Sequence, residues 1–523
     1  MRACRDGADA ACEAALRTPG GTLDGLVAAT EGPIRRSCTD ESARRITFAL
    51  GVDTLVPYLA VACRKWAEDF LVVSYANGLA TLSPAALDCQ GLVAAQTARL
   101  RDRVVQATGR RCDVAEFSGR PCDRVHRDRR IAKALARAHT RILGGCGATF
   151  DELGLAAVGA APTLEARIDA VLDRVTFPAR HFALRVFPPL NLGPTALYGS
   201  APVGVRTLDL VDPSRLNRTG TGPRPLKVEI YYPSTPAAVD GVAGDVVSVL
   251  GLDLFPTPTF RDVARAPGTF PLVLYSHGSG GVRFESLALA VHLASHGYIV
   301  VSADHHGDTL LDSGDAMTAV LTNRPLDLSF LVDQFLAFDA QSGNFFEGAI
   351  DGSRIGATGH SYGGYTVMAL AVGPFALGTF TDPRIRAILP LDGSAQAFAA
   401  QFPAIFSTIT IPTLLLGAST SGLASLLPLA FAAIPSGPPV VGYGNFLRAG
   451  HNSFPDVCEV PESLVGMLEE CQPPVLPWRY VRHIENYLAL NFFDATLRGD
   501  ADALARLHPA VVESIEDVAY QSK

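Results

Sequence analysis

The apolar positions change their period once along the chain. Over roughly the first 180 residues they recur at three- and four-residue spacing, in Glu41–Phe70, Ser83–Thr108, Asp123–Leu143 and Thr163–Val175, with Pro and Gly mostly between. Such spacing gathers apolar side chains on one helix face and predicts a helical array. From about Phe182 the pattern shortens to β-branched runs: Val205–Val211, Leu226–Tyr232, Leu272–Ser276, Tyr298–Ser302, Arg354–Thr358, Ala387–Leu391, Thr413–Leu416 and Pro439–Tyr443. Helical stretches separate these runs, and that alternation predicts βαβ units and a mostly parallel sheet. The expected organisation is a smaller Cys-rich all-helical domain over residues 1–185 and an α/β domain over 186–523. The join falls in the Pro- and Gly-rich stretch Pro188–Gly204.

Composition agrees with two units and removes several classes. A chain of 523 residues is too long for one ordinary core, and 48% hydrophobic with 18% charged residues excludes a disordered or fibrous protein. A net charge of −8 gives no electrostatic case for nucleic acid. The run Arg127, Arg129, Arg130, Lys133, Arg137, Arg141 reads as a solvated helix face before it reads as a polyanion stripe. The longest uncharged run, Gly393–Leu447, is interrupted by six prolines, so no transmembrane segment is expected in it.

Cysteine placement adds a compartment. Eight of the ten cysteines lie in the first 146 residues: Cys4, Cys12, Cys38, Cys63, Cys89, Cys112, Cys122 and Cys146. None forms a CxxC pair, so no metal site is expected. The clustering favours disulfides in a secreted or periplasmic protein whose export signal is not present in this sequence. A reduced chain with buried cysteines is the alternative. Gaps of 25, 26 and 23 residues between Cys38, Cys63, Cys89 and Cys112 suit one cysteine per helix of an up-and-down array. Cys458 and Cys471, thirteen residues apart, are a candidate bridge of their own.

The most informative stretch is Arg354–Tyr365, where an apolar strand runs into Gly359-His360-Ser361-Tyr362-Gly363 and then into a helical segment, Tyr365–Val372. A strand–turn–helix of this form is a nucleophile elbow, which strains and exposes the serine at a helix N-terminus. Ser361 is therefore the candidate nucleophile. It needs a base, which in folds with this elbow arrives late, on a loop after the last strand. Of the three downstream histidines, His483 and His508 fall in helical segments, and His451 lies in a loop after Pro439–Tyr443. Between Ser361 and His451 only Asp382 and Asp392 are acidic. Asp382 precedes a strand, whereas Asp392 ends Ala387–Leu391 on the edge where Ser361 emerges, so Asp392 is the candidate acid. Backbone N–H groups of Tyr362 and Ser279 are the candidate oxyanion donors, the latter in the Gly-rich loop His277–Gly281 after Leu272–Ser276.

With these pieces assembled, the segment from about Val205 to Leu497 resembles the α/β-hydrolase superfamily. Within it the segment is similar to lipases and esterases related to platelet-activating factor acetylhydrolase and to dienelactone-hydrolase-like bacterial lipases. The resemblance rests on Pro225–Pro233, Ser276–Gly280, Leu293–Tyr298, Gly359–Gly364, Leu391-Asp392-Gly393 and Gly450-His451. It implies hydrolysis of small-molecule, lipid or polyester-type esters by a Ser-His-Asp triad through an acyl-enzyme. No cofactor is implied, contact with a lipid surface is compatible, and oligomeric state stays open. A prolyl-oligopeptidase-like peptidase and a non-catalytic binding module are the alternatives. Such peptidases place their acid after a later strand, where this chain has none. The uncharged Ser421–Leu447 reads equally as a lid or as core. Asp304-His305-His306-Gly307-Asp308 has metal-like composition but reads better as a hydrogen-bond network at the pocket rim.

Overall fold

The computed structural model describes residues 74, 82–109, 112, 122–155, 161–180, 192–249, 252–459, 471 and 475–523. The expected helix over Glu41–Phe70 and Cys4, Cys12, Cys38 and Cys63 lie outside these residues. The chain divides into two compact units, Met1–Gly193 with Gln472–Tyr480, and Pro194–Cys471 with Val481–Lys523.

Among the described residues, the first unit is built on α1 (Pro84–Thr108), α2 (Arg124–Cys146) and α3 (Leu164–Arg180). Local chemistry sets two of the starts. Ser83 accepts a hydrogen bond from Ala86 N at 3.2 Å with Pro84 following it, and Asp123 accepts from His126 N at 2.9 Å. Each side chain satisfies a first-turn N–H that has no partner inside the helix. The apolar stripes meet through Val93, Leu100 and Val104, Ile131 and Ile142, and Ile168, Val171 and Leu172. Disulfides join Cys89 to Cys146 and Cys112 to Cys122. Arg129, Arg130, Lys133, Arg137 and Arg141 are all exposed on α2, whereas Arg127 is buried beside Asp128.

The second unit carries the sheet. Its strands are β1 (Val203–Leu216), β2 (Pro223–Pro233), β3 (Val246–Val249), β4 (Leu252–Pro256), β5 (Thr259–Arg261), β6 (Phe270–Ser276), β7 (Ile299–Ala303), β8 (Ile350–His360), β9 (Ile385–Leu391), β10 (Thr413–Ala418), β11 (Val441–Phe446) and β12 (Val518–Ser522). Ten of them form one sheet in the order β12-β11-β10-β9-β8-β6-β7-β2-β1-β5, and β3 with β4 makes a separate hairpin. The strands β6 to β11 are mutually parallel, whereas β2 and β12 pair antiparallel with their neighbours. The mostly parallel sheet preceded by a helical, disulfide-bearing region is as expected.

Helices α4 (Leu287–Ser295), α5 (Met317–Ala340), α6 (Tyr362–Ala369), α7 (Leu427–Ala433) and α8 (Trp478–Phe493) follow the strands. Burial on both faces explains why β6, β7 and β9 read as continuous apolar runs instead of alternating ones. The stretch Ser421–Leu447 supplies the β10–β11 crossover. Its helix α7 turns Leu427, Ala430 and Phe431 into the core and leaves Leu429 exposed. Short edge strands escaped the periodicity. The edge strand β12 buries only Val518 and Tyr520, too short a pattern to stand out. The expected run Pro439–Tyr443 is strand β11, which starts two residues later and continues through Gly442 and Gly444 to Phe446.

A buried ionic cluster lies at the ends of β2 and β7 and on α5. Arg224 donates to Asp327 from Nε at 2.7 Å and from Nη2 at 2.8 Å, and both residues are almost fully buried. Burial alone would raise the Asp327 carboxyl. Its hydrogen bonds from Arg224 and His305 instead hold it well below the usual carboxylate range. Asp327→Asn would strand the Arg224 charge and should cost about 3–5 kcal/mol in urea unfolding at pH 7. A carboxyl held low loses its stabilising effect only as pH falls into the acid range. The difference from wild type should therefore stay constant from about pH 8 to about pH 6 and shrink only in strong acid.

Candidate active site

Strand β8 runs directly into Ser361, which opens α6 with φ 56° and ψ −116°, a left-handed conformation that side chains rarely adopt. Three backbone hydrogen bonds hold it there. Its N–H donates to Leu391 O at 3.0 Å, and its carbonyl accepts from Ser394 N at 2.9 Å and Tyr365 N at 3.1 Å. The flanking glycines are required by space. A Cβ on Gly359 would stand 2.6 Å from Ser276 O, and one on Gly363 would overlap that same carbonyl. The serine side chain itself is half-buried.

Asp392 directly follows β9, is fully buried, and also has a positive φ of 40°. Its Oδ1 accepts from Ala418 N at 3.2 Å, and its Oδ2 lies 2.5 Å from Nδ1 of His451. His451 begins the short turn His451–Ser453 after β11. Its ring stacks 4.4 Å from that of His360, the residue before Ser361. The structure thus gathers Ser361, Asp392 and His451 at the carboxyl edge of β8, β9 and β11. Asp382 sits before β9 and accepts from Arg384 N, Nε and Nη2 at 3.0, 2.9 and 2.7 Å. Burial would raise its carboxyl, but the Arg384 contacts hold it lowered. His483 is buried within α8, and His508 caps a short helix by accepting from Ala510 N at 3.2 Å.

The loop after β6 approaches the serine closely, since a Cβ on Gly278 would stand 3.4 Å from Ser361 Cβ. Asp308 holds this loop by accepting from Ser279 Oγ at 2.8 Å and Gly280 N at 3.2 Å. Arg324, fully buried, donates to Asp308 Oδ2 at 2.8 Å and to the carbonyl of His277. The N–H of Ser279 meets no acceptor among the described residues. The N–H of Tyr362 is a first-turn donor of α6, left without an intrahelical partner. The stretch Asp304–Asp308 is a hydrogen-bond network. Asp304 pairs with Arg283 at 2.8 Å and His306 with Asp312 at 2.5 Å, and no cluster able to hold a metal occurs among the described residues.

Sequence reading missed a buried Ser-His-Asp hydrogen-bond chain beneath that loop. Ser276 Oγ lies 2.9 Å from His305 Nε2, and His305 Nδ1 lies 2.9 Å from Asp327 Oδ2. All three residues are fully buried or nearly so. Burial, with Arg324 beside it, pushes His305 down to about 4, so it is a weak base that no substrate can reach. Glu285 also went unnoticed. Its carboxylate contacts the Gly278 N–H and the His360 ring, and no motif announces either contact.

A mostly parallel sheet with a strained serine between strand and helix, and a buried Asp–His pair on the same edge, define an α/β-hydrolase of the esterase–lipase kind. Among known proteins, sequences similar to this chain are described as cutinases. A family model described as Chlorophyllase matches residues 252–418. Cutinase 2 of Thermobifida cellulosilytica is 26% identical over 245 residues, 47% of this chain and 81% of that protein. Cutinase est1 of Thermobifida alba is 29% identical over 203 residues, 39% of this chain and 58% of that protein. The solved structure of a ferulic acid esterase from Streptomyces cinnamoneus shares 26% identity and covers 61% of this chain and 96% of its own, with a TM-score of 0.44.

The histidine turn is tied down from its far side. Cys458 is bonded to Cys471 seven residues beyond His451, and Asp456 N donates to Glu285 O at 2.7 Å. Closing so short a loop is worth about 3 kcal/mol in the chain-entropy model. Cys458→Ser should therefore lower the inactivation temperature by several degrees and weaken ester hydrolysis without abolishing it. Thermal ramps with activity assays, with and without reductant, check this.

Proposed function

We propose that this chain hydrolyses carboxylic esters with Ser361 as nucleophile, His451 as general base and acid, and Asp392 as the residue that orients His451. The observation that carries the reading is the 2.5 Å Asp392–His451 contact on the same sheet edge as a half-buried serine held at positive φ. In this reading Ser361 Oγ attacks the ester carbonyl while His451 Nε2 takes its proton. The Ser279 and Tyr362 N–H groups receive the oxyanion, and such a donor typically contributes about 10²–10³ in rate. Collapse returns the proton to the leaving alcohol, and water then repeats the sequence on the acyl-enzyme. Asp392, accepting from Nδ1, fixes the tautomer in which Nε2 is the accepting nitrogen.

The substrate class we infer is an ester with an apolar acyl or polymer part. Leu310 and Leu311 are exposed in the segment that hydrogen-bonds to the loop after β6, through Leu310 N to Gly281 O at 3.2 Å. The cutinase names of the relatives support a polyester-type substrate alongside lipid and short-acyl esters. The three disulfides of the described residues support an oxidising location, secreted or periplasmic.

Ser361→Ala should remove hydrolysis of a chromogenic ester while leaving the melting temperature within a few degrees of wild type. Substantial turnover by that folded variant would refute the nucleophile. Asp392→Asn should lower kcat by about 10³–10⁴, the cost of a wrong histidine tautomer. Asp382→Asn, which disturbs the Arg384 and Ser329 contacts before β9, should keep kcat and lose stability. Similar kinetics for the two variants would place the acid elsewhere.

A further inference from the structure

Behind the elbow, a single residue touches all three loops of the site. Glu285 lies between β6 and α4 with its side chain 11% exposed. Its two oxygens each stand 3.0 Å from Gly278 N, which fixes the loop carrying Ser279. Oε1 also meets His360 Nδ1 at 3.1 Å, inside the nucleophile elbow, and accepts from Tyr275 Oη at 3.3 Å. His360 continues the line, since its Nε2 lies 3.0 Å from the backbone carbonyl of His451. The Glu285 carbonyl accepts from Asp456 N at 2.7 Å, which anchors the same histidine turn a second time. His360 thus has an oxygen partner at each ring nitrogen and is held from both ends.

We infer that Glu285 is a positioning residue: through Gly278 and through His360 it sets the spacing between the oxyanion loop, Ser361 and His451. This rests on the triad reading above and adds to it. Glu285 touches neither the reacting atoms nor the triad side chains, so its effect falls on the alignment of groups and not on substrate affinity. A misplacement of about 1 Å in such a site costs on the order of 10²-fold in rate. Both carboxylate oxygens on Gly278 N, with His360 and Tyr275 beside them, fix the group from several sides at once.

The test uses the full chain and a soluble chromogenic ester, with kcat, KM and melting temperature measured for each variant. Glu285→Ala should lose about 30-fold or more in kcat at nearly unchanged KM, while still folded at the assay temperature. Glu285→Gln should stay within about threefold of wild type. Its amide oxygen accepts from Gly278 N, and its amide N–H can donate to His360 Nδ1 while Nε2 keeps its contact with His451 O. Should Glu285→Ala fail to fold, His360→Leu replaces it, since it cuts the link to His451 and leaves Glu285 on Gly278. A loss of about tenfold in kcat is then expected. Wild-type kcat in the Ala or Leu variant overturns the inference, as does a loss carried by KM, or equal losses for Ala and Gln. Ser361→Ala runs beside them. If that variant remains active, the triad reading has failed. If activity depends on Ser361 but not on Glu285, this inference alone has failed.

Discussion

The carbonyl of Ser276, at the end of β6, lies against Gly359 and Gly363 with no room for a side-chain carbon between them. That contact lets the turn after β8 fold tightly over the neighbouring strand. It also obliges Ser361 to take a conformation that only surrounding structure can hold. Parallel registry does the rest. Ser276 pairs with Gly359 and His360 with Leu391, so the ends of β6, β8 and β9 come level. Asp392, one residue past Leu391, therefore emerges beside Ser361, and its own positive φ belongs to the same constraint. Were the turn looser by one methyl group, the loop after β6 and the acid after β9 would lose their common edge.

Under this edge the protein keeps charge in places where water is absent. Arg224 with Asp327, and Arg324 with Asp308, are pairs in which the arginine is almost fully buried and the carboxylate satisfies further donors. Such pairs rarely outdo apolar packing in stability, but removing one partner leaves a stranded charge. Here the second pair also grips the loop that carries Ser279, so its contribution is read in geometry. The two histidines beneath, His277 and His305, are both pushed toward the neutral form by burial. They act as hydrogen-bond relays between loops.

A buried Ser-His-Asp chain beside the proposed triad separates hydrogen-bond pattern from chemistry. Ser276, His305 and Asp327 have the pairing but sit within the core, at the end of β6, just past β7 and within α5. Ser361 stands at a helix N-terminus, half-exposed, beneath a loop with an N–H to spare. Access, strain and unused donors distinguish a site from a structural brace, and the pattern of partners alone does not.

Much of the fold was legible in the sequence because it is written locally. Helical spacing around Ser83–Thr108 and β-branched runs such as Leu272–Ser276 report which face of each element is buried, and the strand–turn–helix at Ser361 reports its own geometry. Chain order and the absence of any other carboxylate between Gly393 and Gly450 singled out Asp392, and loop position singled out His451. Partners brought together by packing were not legible. Glu285 reaches His360 across 75 residues, and His305 reaches Asp327 from a different element. No spacing encodes these contacts, because a side chain's burial and its hydrogen-bond partners are set by which elements stack against one another. Periodicity names the face of a helix or strand; only the assembled sheet decides what that face meets.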